Sequence, residues 1–542
     1  MDHSISVAEV VARACAAHGV QRAFGVPGGG SSLDLIEAFA RHGISFQLCR
    51  TETGAVLMAA ADAELRHGVG VAIATQGPGA ASAMNGLAHA ALDRAPVLFI
   101  SDGWTAAQQA FDSHQVFDQA AMSAPVVKAA SRLESDDPAA ELEALLQAMR
   151  SPPWGPAHVV LTGENARRRV AAAEPQRSTL ALAPATAVQL GSASDLLQRA
   201  ERPVLLVGLE ARDDGAAAQI AALAERLHCP VLTTYKAKGL LDDDAPGLVG
   251  HFTGGALERP CIEAADLIVL CGLDPVELIG RPWPYAVPVL DIALRQHPVH
   301  YVKPAAGLYG ALAAAVESLL PAARASRWST AEIADFRRTM TAQLAYRGNG
   351  RSLSPQAVVE TALEVSSQLA PAQRPAIAVD AGAHMFSAMG FWRAQPDSRA
   401  LISNGLATMG FSLPAGLARA LARPERPTIA FTGDGGLMMC AGELATAAQA
   451  RARLCVVVFN DGGLSLIALK QQGRGMAEAG VGWRRADFAA VARGFGLTAF
   501  TARTPEDYAL ALRHALAADG PTLIDVVVDP SGYRAQAQAL RG

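Results

Sequence analysis

At 542 residues the chain is long enough for three domains of ordinary size. It is 51% apolar and only 18% charged, with a formal net charge of −5 and no basic run longer than Arg167-Arg168-Arg169, so nucleic acid and anionic membrane surfaces are excluded as expected partners. Seven scattered cysteines without a Cys-x-x-Cys pair argue for reduced thiols and against a disulfide frame or zinc site; with no cationic leader or apolar run of membrane-spanning length, a soluble, cytoplasmic protein is expected.

In chain order, residues 1–180 read as one α/β unit. A helix over 7–18 is followed by a strand over 22–25, a helix over 33–41 and a strand over 44–50. Then come a helix over 54–66, a strand over 69–75, a helix over 80–92 and a strand over 96–101. Composition shifts at Arg167 and through 173–185, the expected linker. Residues 187–335 repeat the alternation, with strands at 203–208, 229–233 and 267–271. A second boundary falls at 348–355, and residues 356–535 form a third unit with the rhythm of the first. The expected fold class is α/β, with three doubly wound parallel-sheet domains.

The third unit holds the most informative pattern. A strand over 428–431 runs into Gly433-Asp434-Gly435, a helix follows over 442–448, and a strand over 454–459 runs into Asn460-Asp461. Strand, helix, strand in so short a span is a right-handed parallel crossover. Asp434 and Asp461 then emerge at carboxyl ends of parallel strands, where open α/β sheets bind ligands. Two carboxylates, a nearby backbone carbonyl and phosphate oxygens form the hard oxygen set that Mg²⁺ prefers. Gly435 and Gly436 carry no side chain, so phosphate can reach backbone N–H groups. Either motif alone reads as a turn.

Together the two motifs resemble the thiamine diphosphate signature, Gly-Asp-Gly followed by a paired Asn-Asn, with Asp461 in place of the second Asn. The resemblance makes Asp434, Asp461 and the Gly463 carbonyl the Mg²⁺ ligands, and Gly433 to Gly436 the diphosphate loop. Phe24-Gly25-Val26-Pro27-Gly28-Gly29, Glu52 before Gly54-Ala55, and Gly77-Pro78-Gly79 are similar to the first domain of the acetohydroxyacid synthase and 2-oxoacid decarboxylase branch. By its position alone, Glu52 is a first-turn glutamate favoured by the helix dipole. By resemblance it is the catalytic glutamate that protonates the aminopyrimidine. Ile402 to Phe411 resembles the synthase pattern ending Gly-Thr-Met-Gly-Phe. Met409 then props the bent cofactor, and its N–H and the Ala407 carbonyl hold the pyrimidine edge. Gln76 and Gly77 are expected to face the cofactor or donor, and His114 and His384 are candidate polar contacts. The resemblance names the units pyrimidine-binding, central and diphosphate-binding. It also implies a homodimer or homotetramer with the active site at the subunit interface.

Aldehyde-releasing members of the family carry a glutamate a few residues after Asn-Asn and a His-His pair. Here the matching position is Ile467, and no His-His pair occurs. Gln115, in Ser113-His114-Gln115, matches the glutamine of the synthases. The resemblance therefore implies decarboxylation of a pyruvate-like 2-oxo acid with transfer of the acyl unit to a second carbonyl. The alternative is a decarboxylase or an acyloin or C–C lyase acting on a larger substrate. The synthases hold a non-redox FAD in the middle domain through an Arg in Gly-x-Arg-Phe-Asp-Asp. Gly272-Leu273-Asp274-Pro275-Val276-Glu277 lacks that Arg and the Asp pair, so FAD is not expected. A nicotinamide oxidoreductase is opposed by the absence of Gly-x-Gly-x-x-Gly opening a helix. An inactive regulatory homologue is opposed by Glu52 and Asp434 occurring together.

Overall fold

The computed structural model describes residues 4–542 apart from 175–181, 183, 213–214, 279–281, 299–301 and 351. Most of the expected linker at 173–185 lies outside the described residues.

Among the described residues, each of the three large sheets has six strands, all parallel. The described strands are β1 (Ser4–Ser6), β2 (Arg22–Val26), β3 (Ser45–Leu48), β4 (Gly70–Ala74), β5 (Val97–Gly103), β6 (Ala130–Ser131), β7 (Ala157–Thr162) and β8 (Arg169–Ala171) in the first region. The central region holds β9 (Pro203–Val207), β10 (Val231–Thr233), β11 (Leu248–His251), β12 (Leu267–Cys271), β13 (Val289–Ala293) and β14 (Ala306–Tyr309). The third holds β15 (Ala376–Val379), β16 (Leu401–Ile402), β17 (Thr428–Gly433), β18 (Leu454–Asn460), β19 (Thr498–Ala502) and β20 (Thr522–Val527). The first sheet has the order β3-β2-β4-β5-β7-β6 and the third β16-β15-β17-β18-β20-β19, one topology used twice. The central sheet differs, with the order β11-β10-β9-β12-β13-β14. Of these described strands, only β1 and β8 pair antiparallel.

The strands are short apolar runs because helices cover both faces of a parallel sheet. Along β17, Ile429 and Phe431 face a core shared with the central region, where Leu206, Ile268 and Trp328 lie. Ala430, between them, faces a core shared with the first region, with Val56, Leu87 and Phe99. This period-two alternation makes the third sheet the middle layer of the molecule. The helix Glu52–Arg66 packs against Ser412–Ala422 across the seam of the first and third regions.

Two expected elements differ in detail. The strand expected over 44–50 stops at Leu48, because the N–H groups of Arg50 and Thr51 turn away to the Glu443 carboxylate. The helix expected over 80–92 is two helices, Pro78–Ser82 and Met84–Leu92, with Ala83 between them. Gly70 opens β4 where a Cβ would lie 2.0 Å from the Ala59 carbonyl oxygen. Gly70→Ala is therefore expected to cost about 1–3 kcal/mol, read as a lower thermal unfolding midpoint.

Candidate active site

The switch point of the third sheet lies between β15 and β17, and the site is built from the loops that leave them and the neighbouring β16 and β18. Asp434 opens the short helix Asp434–Cys440 and is 2% exposed. Its Oδ1 accepts the Gly435 N–H at 2.8 Å. Its Oδ2 accepts the Gly462 N–H at 2.8 Å and the Trp483 indole N–H at 3.2 Å. Asp461, just past β18, accepts the Ser465 hydroxyl at 2.7 Å and the Gly463 N–H at 3.2 Å. Gly462 between them has φ +85°, which favours glycine. Burial raises the pKa of Asp434, and burial together with the charge of Asp434 pushes Asp461 up to about 7. A buried and a half-buried carboxyl group that disfavour each other's charge suit a divalent cation, whose charge inverts that preference. Asn460 points elsewhere. Its amide donates to the Ala486 carbonyl and to Asp525, bracing the end of β18.

Asp380, at the end of β15, ties this loop to the one carrying Met409. Its carboxyl accepts N–H bonds from Ala381, Gly410 and Phe411 and the Thr432 hydroxyl, all at 2.9–3.1 Å. Burial pushes it up to about 6. A Cβ on Gly436 would lie 2.2 Å from Asp380 Oδ2, so only glycine fits. Around Gly435 stand Leu464, Trp483 and the Met409 methyl, each 3.1–3.3 Å from where a Cβ would be. Ala407 is exposed and holds φ +52°, a left-handed backbone at a non-glycine residue, which marks constrained functional loops. His384 stacks on Phe459 with ring centroids 5.0 Å apart and backs onto Gly433. Burial pushes it down to about 4, and its Nε2 has no hydrogen-bond partner among the described residues. It therefore lines the loop as a neutral ring.

The first region supplies the other half. Glu52 begins the helix Glu52–Arg66, whose N-cap Thr51 accepts the Gly54 N–H at 3.0 Å. Its Oε1 lies 3.3 Å from where a Gly79 Cβ would be. Gly77, at φ +64°, is pressed against Gln115, and a Cβ there would stand 2.7 Å from the Gln115 Cβ. Glu52, Gly77, Gly79 and Gln115 thus form one constellation, with half-buried Gln76 next to it. Gln115 is exposed and left-handed at φ +60°. His114 is exposed beside it, its backbone N–H bonded to Asp112.

Besides Asp380, two groups in the frame escaped sequence reasoning. Glu443, fully buried, accepts the N–H groups of Arg50 and Thr51 at 3.0 Å and the Thr51 hydroxyl at 3.2 Å. It fixes the turn that presents Glu52 from 393 positions away along the chain. Asp93 accepts the N–H groups of Asn404 and Gly405 at 2.9 and 3.2 Å. Burial opposes its charge, but Lys236 at 3.2 Å and His89 at 3.1 Å hold it well below the usual carboxylate range. His89 also bonds the Ser403 hydroxyl at 2.9 Å, which in turn accepts the Thr408 N–H. Helix Met84–Leu92 therefore clamps the loop that bears Ala407 and Met409. No local motif announces either clamp.

Three family models match along the chain. The N-terminal thiamine pyrophosphate binding domain matches residues 5–122, the central domain of the same enzymes 190–319, and the C-terminal thiamine pyrophosphate binding domain 380–526. The chain is a thiamine diphosphate enzyme. Within that family it falls in the acetolactate synthase-like branch and is a thiamine-dependent carboligase or decarboxylase. It is 27% identical to an acetolactate synthase of Bacillus subtilis, over 97% of this chain and 93% of that one. It is 27% identical to a catabolic acetolactate synthase of Raoultella terrigena, over 96% and 95%. A probable 2-ketoarginine decarboxylase of Pseudomonas aeruginosa is 28% identical, over 96% and 94%. The Asp93 clamp holds the loop that the family resemblance assigns to the cofactor's pyrimidine edge. Asp93→Asn leaves Lys236 short of a buried partner and is expected to weaken thiamine diphosphate binding at least tenfold, about 1.4 kcal/mol. Quenching of Trp483 fluorescence in a cofactor titration reads this.

Proposed function

We propose that this enzyme decarboxylates a pyruvate-like 2-oxo acid and joins the acyl unit to a second carbonyl, as an acetolactate synthase does, using Mg²⁺ to hold the cofactor. The observation that carries the reading is Ile467. It lies 41% exposed on the helix Ser465–Gly473, which starts at the residue hydrogen-bonded by Asp461. An aliphatic side chain beside the metal loop has no proton to give, so the acyl unit survives to meet a carbonyl.

Thiamine diphosphate would supply a carbon nucleophile for the 2-oxo acid and an electron sink for its decarboxylation. The protein's part is positional and electrostatic. Asp434, Asp461 and the Gly463 carbonyl would hold Mg²⁺, and Gly435 and Gly436, which carry no side chain, would leave room for the diphosphate at the loop. Met409 and Ala407 hold the pyrimidine end. Glu52 keeps a proton on the pyrimidine ring nitrogen, and Gln115 and His114 orient the substrate. The Glu52 carboxylate lies beside Gly79 of its own region, and the Asp434 carboxylate accepts N–H groups of its own region from Gly435 and Gly462. A homodimer or homotetramer, with Glu52 of one subunit facing Asp434 of another, completes the site in this reading, in the cytoplasm.

Similarity to a probable 2-ketoarginine decarboxylase supports a second reading, decarboxylation of a larger 2-oxo acid. NMR of products formed from pyruvate with thiamine diphosphate and Mg²⁺ separates the two. Acetolactate is expected; acetaldehyde overturns the role given to Ile467, and untouched pyruvate with turnover of a bulkier 2-oxo acid favours the second reading. Glu52→Gln is expected to lower kcat by about 10²-fold or more while cofactor affinity stays near wild type. Retained activity in that variant removes Glu52 from the proton-holding role.

A further inference from the structure

Numbered within its own domain, the central sheet has the strand order 3-2-1-4-5-6, the order of dinucleotide-binding domains. Its switch point lies between β9 and β12, and a dinucleotide's phosphates would rest on the loops leaving those strands. In this chain the two loops are joined to each other. The Gly208 N–H bonds the Cys271 carbonyl at 3.0 Å, and the Glu210 N–H bonds the Gly272 carbonyl at 2.9 Å. A Cβ at Gly208 would stand 2.5 Å from Leu273 Cα and 2.6 Å from the Gly272 oxygen, so the loops touch backbone to backbone.

Two further donors are taken by a side chain. Glu277 Oε2 accepts the Leu209 N–H at 2.8 Å and the Asp274 N–H at 3.2 Å, bridging the two loops as a phosphate oxygen would. Burial pushes this carboxyl up to about 7. Glu210 accepts the Leu294 N–H at 2.9 Å at the end of β13, and Asp274 is gripped by both arms of Arg94 at 2.7 and 2.9 Å. Glu210, Asp274, Glu277 and Asp291 are all buried around the crevice. The flavin dinucleotide that the acetohydroxyacid synthases hold does not fit these residues: the loops touch, the N–H groups of Gly208, Leu209, Glu210 and Asp274 are engaged, and carboxyl groups line the place its phosphates need.

We propose that Glu277 is the built-in occupant of the central crevice, so that this domain takes neither FAD nor another nucleotide there and serves as a bracket bonded to the first domain through Asp274 and Arg94. The first test is the purified wild-type enzyme: no flavin released on denaturation, and no saturable binding of FAD or ADP by calorimetry. Stoichiometric flavin, or saturable binding of either ligand, overturns the proposal. The second test is stability. Glu277→Gln keeps an oxygen for the two N–H groups and is expected to melt with wild type, whereas Glu277→Ala melts lower. An Ala variant as stable as wild type, or a Gln variant no better than Ala, overturns the role of that oxygen. Neither test involves turnover, so both stand apart from the carboligase reading.

Discussion

Where the three sheets meet, Lys236 is wholly buried and answers to all of them. Its ammonium bonds Glu64 and the Ile402 carbonyl at 2.9 Å and lies 3.2 Å from Asp93. Arg212 pairs with Glu64 from the same side. Burying such charges costs several kcal/mol per ion before their attraction returns it, so the cluster is a poor way to gain stability. Its value is geometric. Partners from the first and third domains satisfy this one central-domain ammonium only in one arrangement, and that arrangement puts Asp93 against the N–H groups of Asn404 and Gly405. The loop that ends in Ala407 and Met409 inherits its position from this point.

The same sheet physics leads to opposite outcomes in the three domains. A parallel sheet that reverses its strand order leaves a crevice at its carboxyl end, and what fills the crevice decides what the domain does. In the third sheet the crevice is kept open by Gly435 and Gly436, because Asp380, Met409, Leu464 and Trp483 press from every side on the space a side chain would take. In the first, Gly28 runs so close to Thr75 and Asp102 that no Cβ fits, and Asp102 gathers Ser31 and Ser32 beneath the glycine loop. In the central sheet the glycines serve contact between the two loops instead, and Glu277 supplies the missing anion-like oxygen.

What the sequence made legible follows from how local each signal is. Alternating apolar runs and helix patterns define the α/β architecture, and Gly433-Asp434-Gly435 with Asn460-Asp461 defines the metal-site candidates, because strand ends and turn glycines are written within a few positions. Glu52, Gly77 and Gln115 were legible only through resemblance; their meeting depends on the left-handed backbone at Gly77 and Gln115, which no spacing rule predicts. Glu443, Asp93 and Asp380 were not read as site elements at all. Each acts on backbone N–H groups far away in the chain, and a glutamate in a helix or an aspartate at a strand end carries no sign of which distant loop it will cap. Glu277 stands between these cases: the missing Arg of the flavin motif was visible, but not that a glutamate three positions past Asp274 would reach back to fill the loop.

The substitution at 461 ties these levels together. In the family pattern a neutral amide stands there; this chain has a carboxyl group of the same shape. Loss of solvent around Asp461, and then the charge of Asp434 alongside, make the second charge costly to the protein alone and push Asp461 up to about 7, while Asp525, held by the Asn460 amide, braces the strand behind it. A divalent cation in the proposed site would meet two carboxylates rather than one before it meets the diphosphate, and each added negative ligand strengthens a hard-cation site while stiffening its demand for that cation. The same charge leaves the loop less fit to receive a diphosphate on its own. Cofactor and metal would then bind as a unit, with the cation neutralising Asp461 as it bridges to phosphate, so an asparagine-to-aspartate change of a single atom type couples the order of assembly to the fold that buries it.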